Sequence, residues 1–264
     1  MHVYVYIIYK LSGSVRKMTK LEYRIESYDV QPNGYVKLSS LMRILQELAG
    51  NDLDGSNLTY MNLYHHNCAF VITKFTLQLL DNIKLYDRIV AETYPRPVRG
   101  ISFQRDFIIF RDGVRVGLSS TVWCLIDLQK RSILRPDALD GIGTFPTTTE
   151  NPFSLPFVRR KIDKNSLSRT NVRETYYSEL DMNGHLNNTF YADIVFDSLP
   201  DADKIQMKDL FFEINFKNES RLGEKLIINT TDPECDEIDI LAVKESDEQP
   251  CFSAYLNKKS VYNG

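Results

Sequence analysis

The chain has 264 residues, of which 43% are hydrophobic and 25% charged, and this composition excludes a wholly disordered protein. Its formal net charge of −3 excludes a general attraction to nucleic acid or to an anionic membrane surface. Four well-separated cysteines and four histidines offer little to build a zinc site. We therefore expect no metal, buried free thiols and a reducing, cytoplasmic location.

The first predicted element is a short apolar run at residues 3–9. It is too short to span a bilayer, and it lacks both the basic start and the cleavage site of a signal peptide. A segment that looks like the start of a domain begins at Met18. We therefore expect residues 1–17 to be an extension outside the fold, and we expect no membrane span elsewhere.

A first run of elements follows that extension. Residues 21–30 look extended, an Asn-Gly turn follows, and residues 38–50 carry one apolar stripe at helical spacing. Residues 71–79 alternate with period two, as a strand does. Further strands are predicted at 88–94, 101–110 and 114–128, with Arg111-Asp112-Gly113 as a hairpin turn between the last two.

A second run repeats this plan. It begins near Arg169 with an extended segment and an Asn-Gly turn, and a helix fits residues 187–198. Predicted strands follow at 209–216, 225–229, 238–244 and 252–258. The stretch between the copies is rich in Pro, Thr, Ser and Asn, which is typical of a linker. We predict a first domain at 18–145, a linker at 146–168 and a second domain at 169–264.

The two Asn-Gly pairs, Asn33-Gly34 and Asn183-Gly184, align the copies, and Asp29 and Asp181 precede them by four and two residues. One helix followed by several antiparallel strands is an α+β plan. A wide apolar stripe on a helix needs a curved sheet around it, which is the hotdog arrangement. We therefore predict two tandem hotdog domains, each a long helix wrapped by a curved antiparallel sheet, which share one continuous sheet.

Polar residues are concentrated in the string ELDMNGHLNN at 179–188, where the second helix is predicted to begin. Unpaired N–H groups at a helix start can stabilise the oxyanion that forms when a thioester carbonyl is attacked. The alternative is structural, because Asp and Asn are common in turns and helix caps, and a single His there is often only solvated.

The string DMNGHLNN resembles the signature of plant and bacterial acyl-acyl carrier protein (acyl-ACP) thioesterases. The resemblance implies catalytic roles for Asp181, Asn183 and His185, with Asn187-Asn188 completing the string. Residues 216–219 (FKNE) are similar to a second family motif, which implies a catalytic Glu219. The plant enzymes often have Cys at the next position, and the Ser220 found here argues against a cysteine nucleophile.

The first half is also similar to the family, at residues 93–107 and 119–136. The family comparison implies that only the second copy is catalytic, and Tyr35 indeed stands where His185 stands. The first helix would then form part of the acyl pocket, although a plain core role suits the same residues equally well. The candidates are Leu41, Met42 and Leu45.

The expected activity is hydrolysis of a fatty acyl-ACP thioester, which releases a free fatty acid and ends chain elongation in fatty acid biosynthesis. We expect Glu219 with His185 to activate water as general base, Asp181 to orient its neighbours, and Asn183 to hold the carbonyl oxygen. A carboxylate nucleophile that forms a transient anhydride is the competing route. No cofactor is expected, because the chain has no glycine-rich phosphate loop and no GxSxG elbow.

Acyl carrier proteins are acidic, so a basic docking surface is expected, and Arg96, Arg99 and Arg105 are its candidates. A merely solvated run of charges is the alternative. Other functions compatible with the fold are an acyl-CoA thioesterase, a dehydratase and a non-catalytic acyl-binding protein. The state could be a monomer or a homodimer, because two hotdogs in one chain already supply a pair.

Overall fold

The computed structural model describes residues 3–11, 14–149, 153, 155, 157 and 160–260. Within these ranges, three α-helices pack with one antiparallel sheet of twelve strands. The helices are α1 (Leu38–Asp54), α2 (Tyr60–His65) and α3 (Phe190–Asp197). The strands are β1 (Val3–Leu11), β2 (Ser14–Arg24), β3 (Cys68–Leu79), β4 (Arg88–Pro95), β5 (Ser102–Arg111), β6 (Val114–Asp127), β7 (Ser132–Ile133), β8 (Arg169–Glu174), β9 (Phe211–Phe216), β10 (Lys225–Thr230), β11 (Glu237–Lys244) and β12 (Pro250–Asn257).

The sheet contains the same plan twice. Its order is β1-β2-β4-β5-β6-β3-β9-β12-β11-β10-β8, with β7 paired to β6 at one side. Numbered within each copy, β2 to β6 and β8 to β12 both run 1-3-4-5-2, with the helix between the first and second strands. The copies join where β3 pairs with β9, and Phe75 faces Ile214 there. The predicted repeat and the shared continuous sheet are both confirmed.

The apolar stripe of α1 forms the centre of the core. Leu41, Met42 and Leu48 are fully buried in one hydrophobic cluster, which also contains residues of the second copy such as Ile214 and Phe252. The predicted helix end at residue 50 is four residues too early, because the buried Asp52 continues the helix and pairs with a strand arginine. Within the described ranges, no helix combines the length and the apolar character that a membrane crossing requires.

Two local elements follow from particular residues. The predicted hairpin between β5 and β6 is confirmed: Asp112 and Gly113 have φ values of 51° and 76°, as a two-residue type I′ turn needs. The helix of the second copy, α3, has only 8 residues, against 17 in α1. Pro200, three residues beyond its last residue Asp197, cannot continue it.

The N-terminal strand corrects one expectation. Val3–Leu11 pairs with β2 along its whole length, from Val3 opposite Glu22 to Leu11 opposite Ser14. The expectation that residues 1–17 lie outside the fold is therefore wrong for β1 and the start of β2, which belong to the sheet. The reason is the density of Val, Ile and Tyr at 3–9, which favours a strand. The division into domains stays a prediction.

The segment between the copies packs against the sheet. Phe153 and Leu155 are buried beside Tyr94, Ile108 and Leu118 of the first copy. The backbone N–H of residue 148 also donates to the carbonyl of residue 95 at 2.8 Å. The Pro- and Thr-rich composition does not reveal these apolar anchors, and the linker stays a prediction.

Candidate active site

The turn of the octapeptide is held by Asp181. Its Oδ1 accepts hydrogen bonds from the backbone N–H groups of Asn183 at 2.8 Å and His185 at 3.1 Å. Its own N–H donates to the carbonyl of His185 at 2.7 Å. Gly184 has φ 75°, a left-handed conformation that glycine adopts without strain. Asp181 therefore sets the direction of its neighbours through the backbone.

His185 and Glu219 meet in space. The turn lies beside the segment that follows β9, and the N–H of Leu186 donates to the carbonyl of Ser220 at 2.7 Å. This pairing brings His185 Nε2 to 3.2 Å from Glu219 Oε1. The two side chains are 21% and 29% exposed, so solvent can reach both. The structure thus brings together the imidazole and the carboxylate that the resemblance implies.

Two arginines also contact Glu219. Arg221 Nη2 lies 3.0 Å from Oε1, and Arg131 Nη2 lies 2.5 Å from Oε2. Burial alone would raise the pKa of Glu219, but hydrogen bonds from the two arginines and the charge of His185 lower that pKa below its usual range. Glu219 is therefore an ionised carboxylate at neutral pH.

The amide of Asn183 contacts one residue of each copy. Its Oδ1 accepts a hydrogen bond of 3.0 Å from the hydroxyl of Tyr60, the first residue of α2 in the first copy. Its Nδ2 lies 3.4 Å from Asp181 Oδ2. Burial raises the pKa of Tyr60, so the phenol stays a neutral donor. Tyr60 and Arg131 are site residues from the first copy that the sequence analysis missed.

The His185–Glu219 pair lies in the lining shared by two cavities. The cavity beside α3, of about 510 Å³, is called the α3 cavity, and the cavity beside α2, of about 630 Å³, is called the α2 cavity. Asn183 and Arg131 also contribute to both linings. Apolar side chains of the α3 cavity are Ile72, Leu186, Tyr191 and Phe216, and exposed side chains of the α2 cavity are Tyr60, Met61, Tyr64 and Met182.

The matching turn of the first copy lacks the two carboxylates and the imidazole of the candidate site. The bridge between Val30 and Val36 corresponds to that between Leu180 and Leu186, an offset of 150 residues. The bridge between residues 35 and 84 likewise corresponds to that between 185 and 221. Uncharged residues stand in the four places of the predicted catalytic set, namely Gln31, Asn33, Tyr35 and Asn82.

Residues at that turn of the first copy form hydrogen bonds with the backbone of the second copy. Asn33 Nδ2 donates to the carbonyl of Asp203 at 2.7 Å, and Asn82 Oδ1 accepts from the N–H groups of Met207 and Lys208. The offset places Asp29 opposite the backbone-capping residue at 179, so the suggested match of Asp29 with Asp181 is wrong. The arrangement supports one catalytic site, at the turn of the second copy.

The acyl-pocket candidates of the first helix lie elsewhere. Leu41, Met42 and Leu45 are packed in the core, with exposures of 1% or less, and none of them lines the α2 or α3 cavity. The residue 150 positions after Leu41 is Tyr191, which does line the α3 cavity. A role for the three residues in acyl binding stays a prediction.

The expected docking arginines do not form an exposed patch. Arg105 is 2% exposed and lies 2.7 Å from the buried carboxylate of Asp52, so its assignment to a docking surface is wrong. Arg96 is paired with Asp106, and Arg99 is exposed. The cause is strand alternation, which turns Arg105 of β5 toward the carboxylate of α1 instead of solvent.

The cysteines are free, as expected, and three of the four are buried, while Cys235 is exposed. Cys251 lies nearest the site, and burial raises its pKa to about 11. Ser220 is fully buried, with its hydroxyl 2.9 Å from that of Thr175. Neither position offers a thiolate for attack on a substrate. Among the described residues, no three His, Cys, Asp or Glu side chains converge as metal ligands would.

Comparison with known proteins identifies the family. The sequence profile of the acyl-ACP thioesterase N-terminal domain matches residues 16–138, and that of the C-terminal domain matches residues 160–258. No curated protein matches the chain significantly.

Among solved structures, an acyl-ACP thioesterase from Bacteroides thetaiotaomicron is 22% identical with a TM-score of 0.75, over 91% of this chain and 97% of that one. The 12:0-ACP thioesterase from Umbellularia californica is 15% identical with a TM-score of 0.74, over 91% and 96%. A putative oleoyl thioesterase from Lactobacillus plantarum is 16% identical with a TM-score of 0.74, over 93% and 97%. These structures share the double hotdog fold, and the two profile matches, which together cover most of the sequence, show that the chain belongs to the acyl-ACP thioesterase family.

Proposed function

We propose that the chain hydrolyses fatty acyl-ACP at the His185–Glu219 pair and releases a free fatty acid. Its family membership makes it a thioester hydrolase that acts on acyl-ACP. The observation that carries the assignment of the site is the 3.2 Å contact between His185 Nε2 and an ionised Glu219, beside two cavities. Release of the acid ends chain elongation, so the enzyme belongs to fatty acid biosynthesis in the cytoplasm.

The pair divides the work of proton transfer. A carboxylate with a lowered pKa is a weak base, so Glu219 orients the imidazole and balances its positive charge. His185 then takes a proton from water through its other nitrogen, Nδ1, as the water oxygen bonds to the thioester carbon. The tetrahedral intermediate collapses, the C–S bond breaks, and the imidazolium protonates the departing thiolate. Such general acid–base catalysis contributes about 10²–10⁴ in rate.

Asn183 is the proposed donor to the oxyanion. Because its Oδ1 accepts from Tyr60, its Nδ2 is the donor end of the amide, and Nδ2 carries a hydrogen beyond the one near Asp181. One well-placed donor to an oxyanion contributes about 3 kcal/mol to the transition state. Asp181 supports this role by fixing the backbone of the turn.

Each cavity is assigned one part of the substrate in this proposal. The acyl chain fits the α3 cavity, where Ile72, Leu186 and Phe216 offer apolar surface. The arm of the carrier protein approaches through the α2 cavity, whose lining includes exposed residues of α2 such as Tyr60 and Tyr64. The thioester then lies between the cavities, against His185 and Glu219. Monomer and homodimer are both compatible with this placement.

The test is turnover of acyl-ACPs of graded chain length, with free thiol as the readout. His185→Ala is expected to lower kcat by about 10²–10⁴ because no other group replaces the base. Glu219→Gln keeps the shape but loses the charge, and it is expected to lower kcat without raising KM. His65→Ala, at an exposed histidine of α2, is the matched control and should leave turnover unchanged. Near-wild-type hydrolysis by H185A would refute the site assignment.

The same assay separates the alternatives. Faster thiol release from acyl-CoA than from acyl-ACP would make the chain an acyl-CoA thioesterase. A β-hydroxyacyl chain that changes without release of thiol would indicate a dehydratase. Tight binding of acyl-ACP without turnover would indicate an acyl-binding protein.

A further inference from the structure

Arg131 reaches the site from the copy that lacks the catalytic pair. Its Nη2 lies 2.5 Å from Glu219 Oε2, and its side chain lines both cavities. The other oxygen, Oε1, is shared by His185 Nε2 at 3.2 Å and Arg221 Nη2 at 3.0 Å. The two oxygens of one carboxylate are therefore held from different copies.

The turn that carries Arg131 is held independently of Glu219. It joins β6 to β7, and Asp127 Oδ1 accepts from the N–H groups of Gln129 at 2.9 Å and Lys130 at 2.8 Å. The same oxygen accepts from Asn67 Nδ2 at 2.8 Å, and the carbonyl of Asp127 accepts from the N–H of Arg131 at 2.9 Å. The guanidinium is thus presented to the site by a preformed turn.

Arg131 has a left-handed backbone conformation. Its φ is 54°, in the left-handed region that residues with a Cβ rarely adopt and that Gly and Asn tolerate best. An asparagine would suit the turn better but would remove the guanidinium.

We propose that Arg131 is a positioning residue that fixes the Glu219 carboxylate so that Oε1 faces His185. Without Arg131, Oε2 loses its partner and the carboxylate is free to rotate toward Arg221. The hydrogen bond from Arg131 is also one of the contacts that keep the pKa of Glu219 low against the effect of burial. The catalytic consequence of this role rests on the proposed function.

The test compares Arg131→Asn and Arg131→Lys with Lys130→Ala, the exposed neighbour in the same turn. For R131N we expect kcat on acyl-ACP to fall at least about tenfold with KM changed less than about twofold, because only the orientation of Glu219 is lost. R131K should recover part of the rate, since it keeps the charge but not the planar fork, and K130A should match the wild type.

Two further measurements keep this role distinct from a structural one. The thermal midpoint of R131N should be equal to or above that of the wild type, because asparagine relieves the left-handed backbone. The ¹³C carboxyl resonance of Glu219, assigned by its absence in E219Q, should titrate at higher pH in R131N. This titration needs no turnover, so it decides the role of Arg131 even if the wild type fails to hydrolyse acyl-ACP. An unchanged Glu219 titration, a rise in KM alone, or a lowered midpoint that accounts for the lost activity would overturn the proposal.

Discussion

Cys251 lies close to the candidate site but is unsuited to attack a substrate. Its thiol is fully buried, donates to the carbonyl of Asn218 at 3.1 Å and lies 3.6 Å from the hydroxyl of Tyr191. Burial raises its pKa to about 11, so at pH 8 only on the order of one thiol in a thousand is ionised. The nucleophile must therefore come from water or from a carboxylate.

Thiol reagents test this conclusion at the scale of one residue. We expect iodoacetamide at pH 8 to label the exposed Cys235 and leave hydrolysis of acyl-ACP unchanged. Cys251→Ala should keep activity within about threefold and lower the free energy of unfolding by about 1 kcal/mol, a typical effect of one core substitution. Mass spectrometry of the labelled protein gives the modified position. Inactivation that follows the labelling of Cys251 would contradict a mechanism without a cysteine nucleophile.

Equivalent positions on α1 and α3 have different surroundings. Leu41 and Tyr191, 150 residues later, both belong to the main hydrophobic cluster, but only Tyr191 lines the α3 cavity. The ring of Tyr191 stands edge-on to Phe216 and Phe252, with ring centres 5.5 Å and 5.2 Å away. This aromatic group limits the room for an acyl chain next to the His185–Glu219 pair.

Tyr191→Leu should therefore extend the accepted chain length. The smaller side chain opens the α3 cavity, and one methylene in an apolar pocket changes kcat/KM by about tenfold or more. We expect the rate on longer acyl-ACPs relative to shorter ones to rise at least about tenfold. Leu41→Ala is the matched control, expected to cost about 2–5 kcal/mol of stability without a change in preference. A changed preference in L41A would instead support the predicted pocket on the first helix.

Sequence periodicity predicts the long elements well and the short ones poorly. The stripe on α1 and the alternation in β3 identify both elements, because each presents a full set of buried positions. The two residues of β7 and the six of α2 are too short to show a period. The strand β7 directly follows Arg131, and α2 begins with Tyr60. Because both elements were missed, the contribution of the first copy to the site could not be predicted from the sequence pattern.

The motif residues could be predicted from the sequence and Tyr60 could not, for a physical reason. Asp181, Asn183 and His185 lie within one turn, so their spacing along the chain is itself the motif that the sequence shows. Tyr60 contacts Asn183 across 123 residues, and nothing local in the sequence records that distance. The buried Arg105 shows the opposite error, because a count of charges does not tell which side of a strand each one occupies.

At the scale of the whole molecule, the two copies share one core as well as one site. The main hydrophobic cluster contains side chains of both copies, and Phe75 and Ile214 are fully buried where β3 meets β9. Residues of the second copy contact the uncharged turn of the first, and Arg131 of the first copy contacts Glu219 in the candidate site of the second. Each copy depends on side chains of the other for its core and for its turn, so we expect the chain to unfold as one unit.

Phe252→Ala tests this cooperativity, because Phe252 is fully buried in the second copy and the single tryptophan, Trp123, is in the first. The substitution should cost about 3–5 kcal/mol. We expect the denaturation midpoint reported by Trp123 fluorescence to fall together with the midpoint reported by circular dichroism of the whole chain. Arg99→Ala, at an exposed position of the first copy, serves as the unperturbed control. A Trp123 transition that stays at its wild-type midpoint in F252A would mean that the two copies unfold separately despite their common sheet.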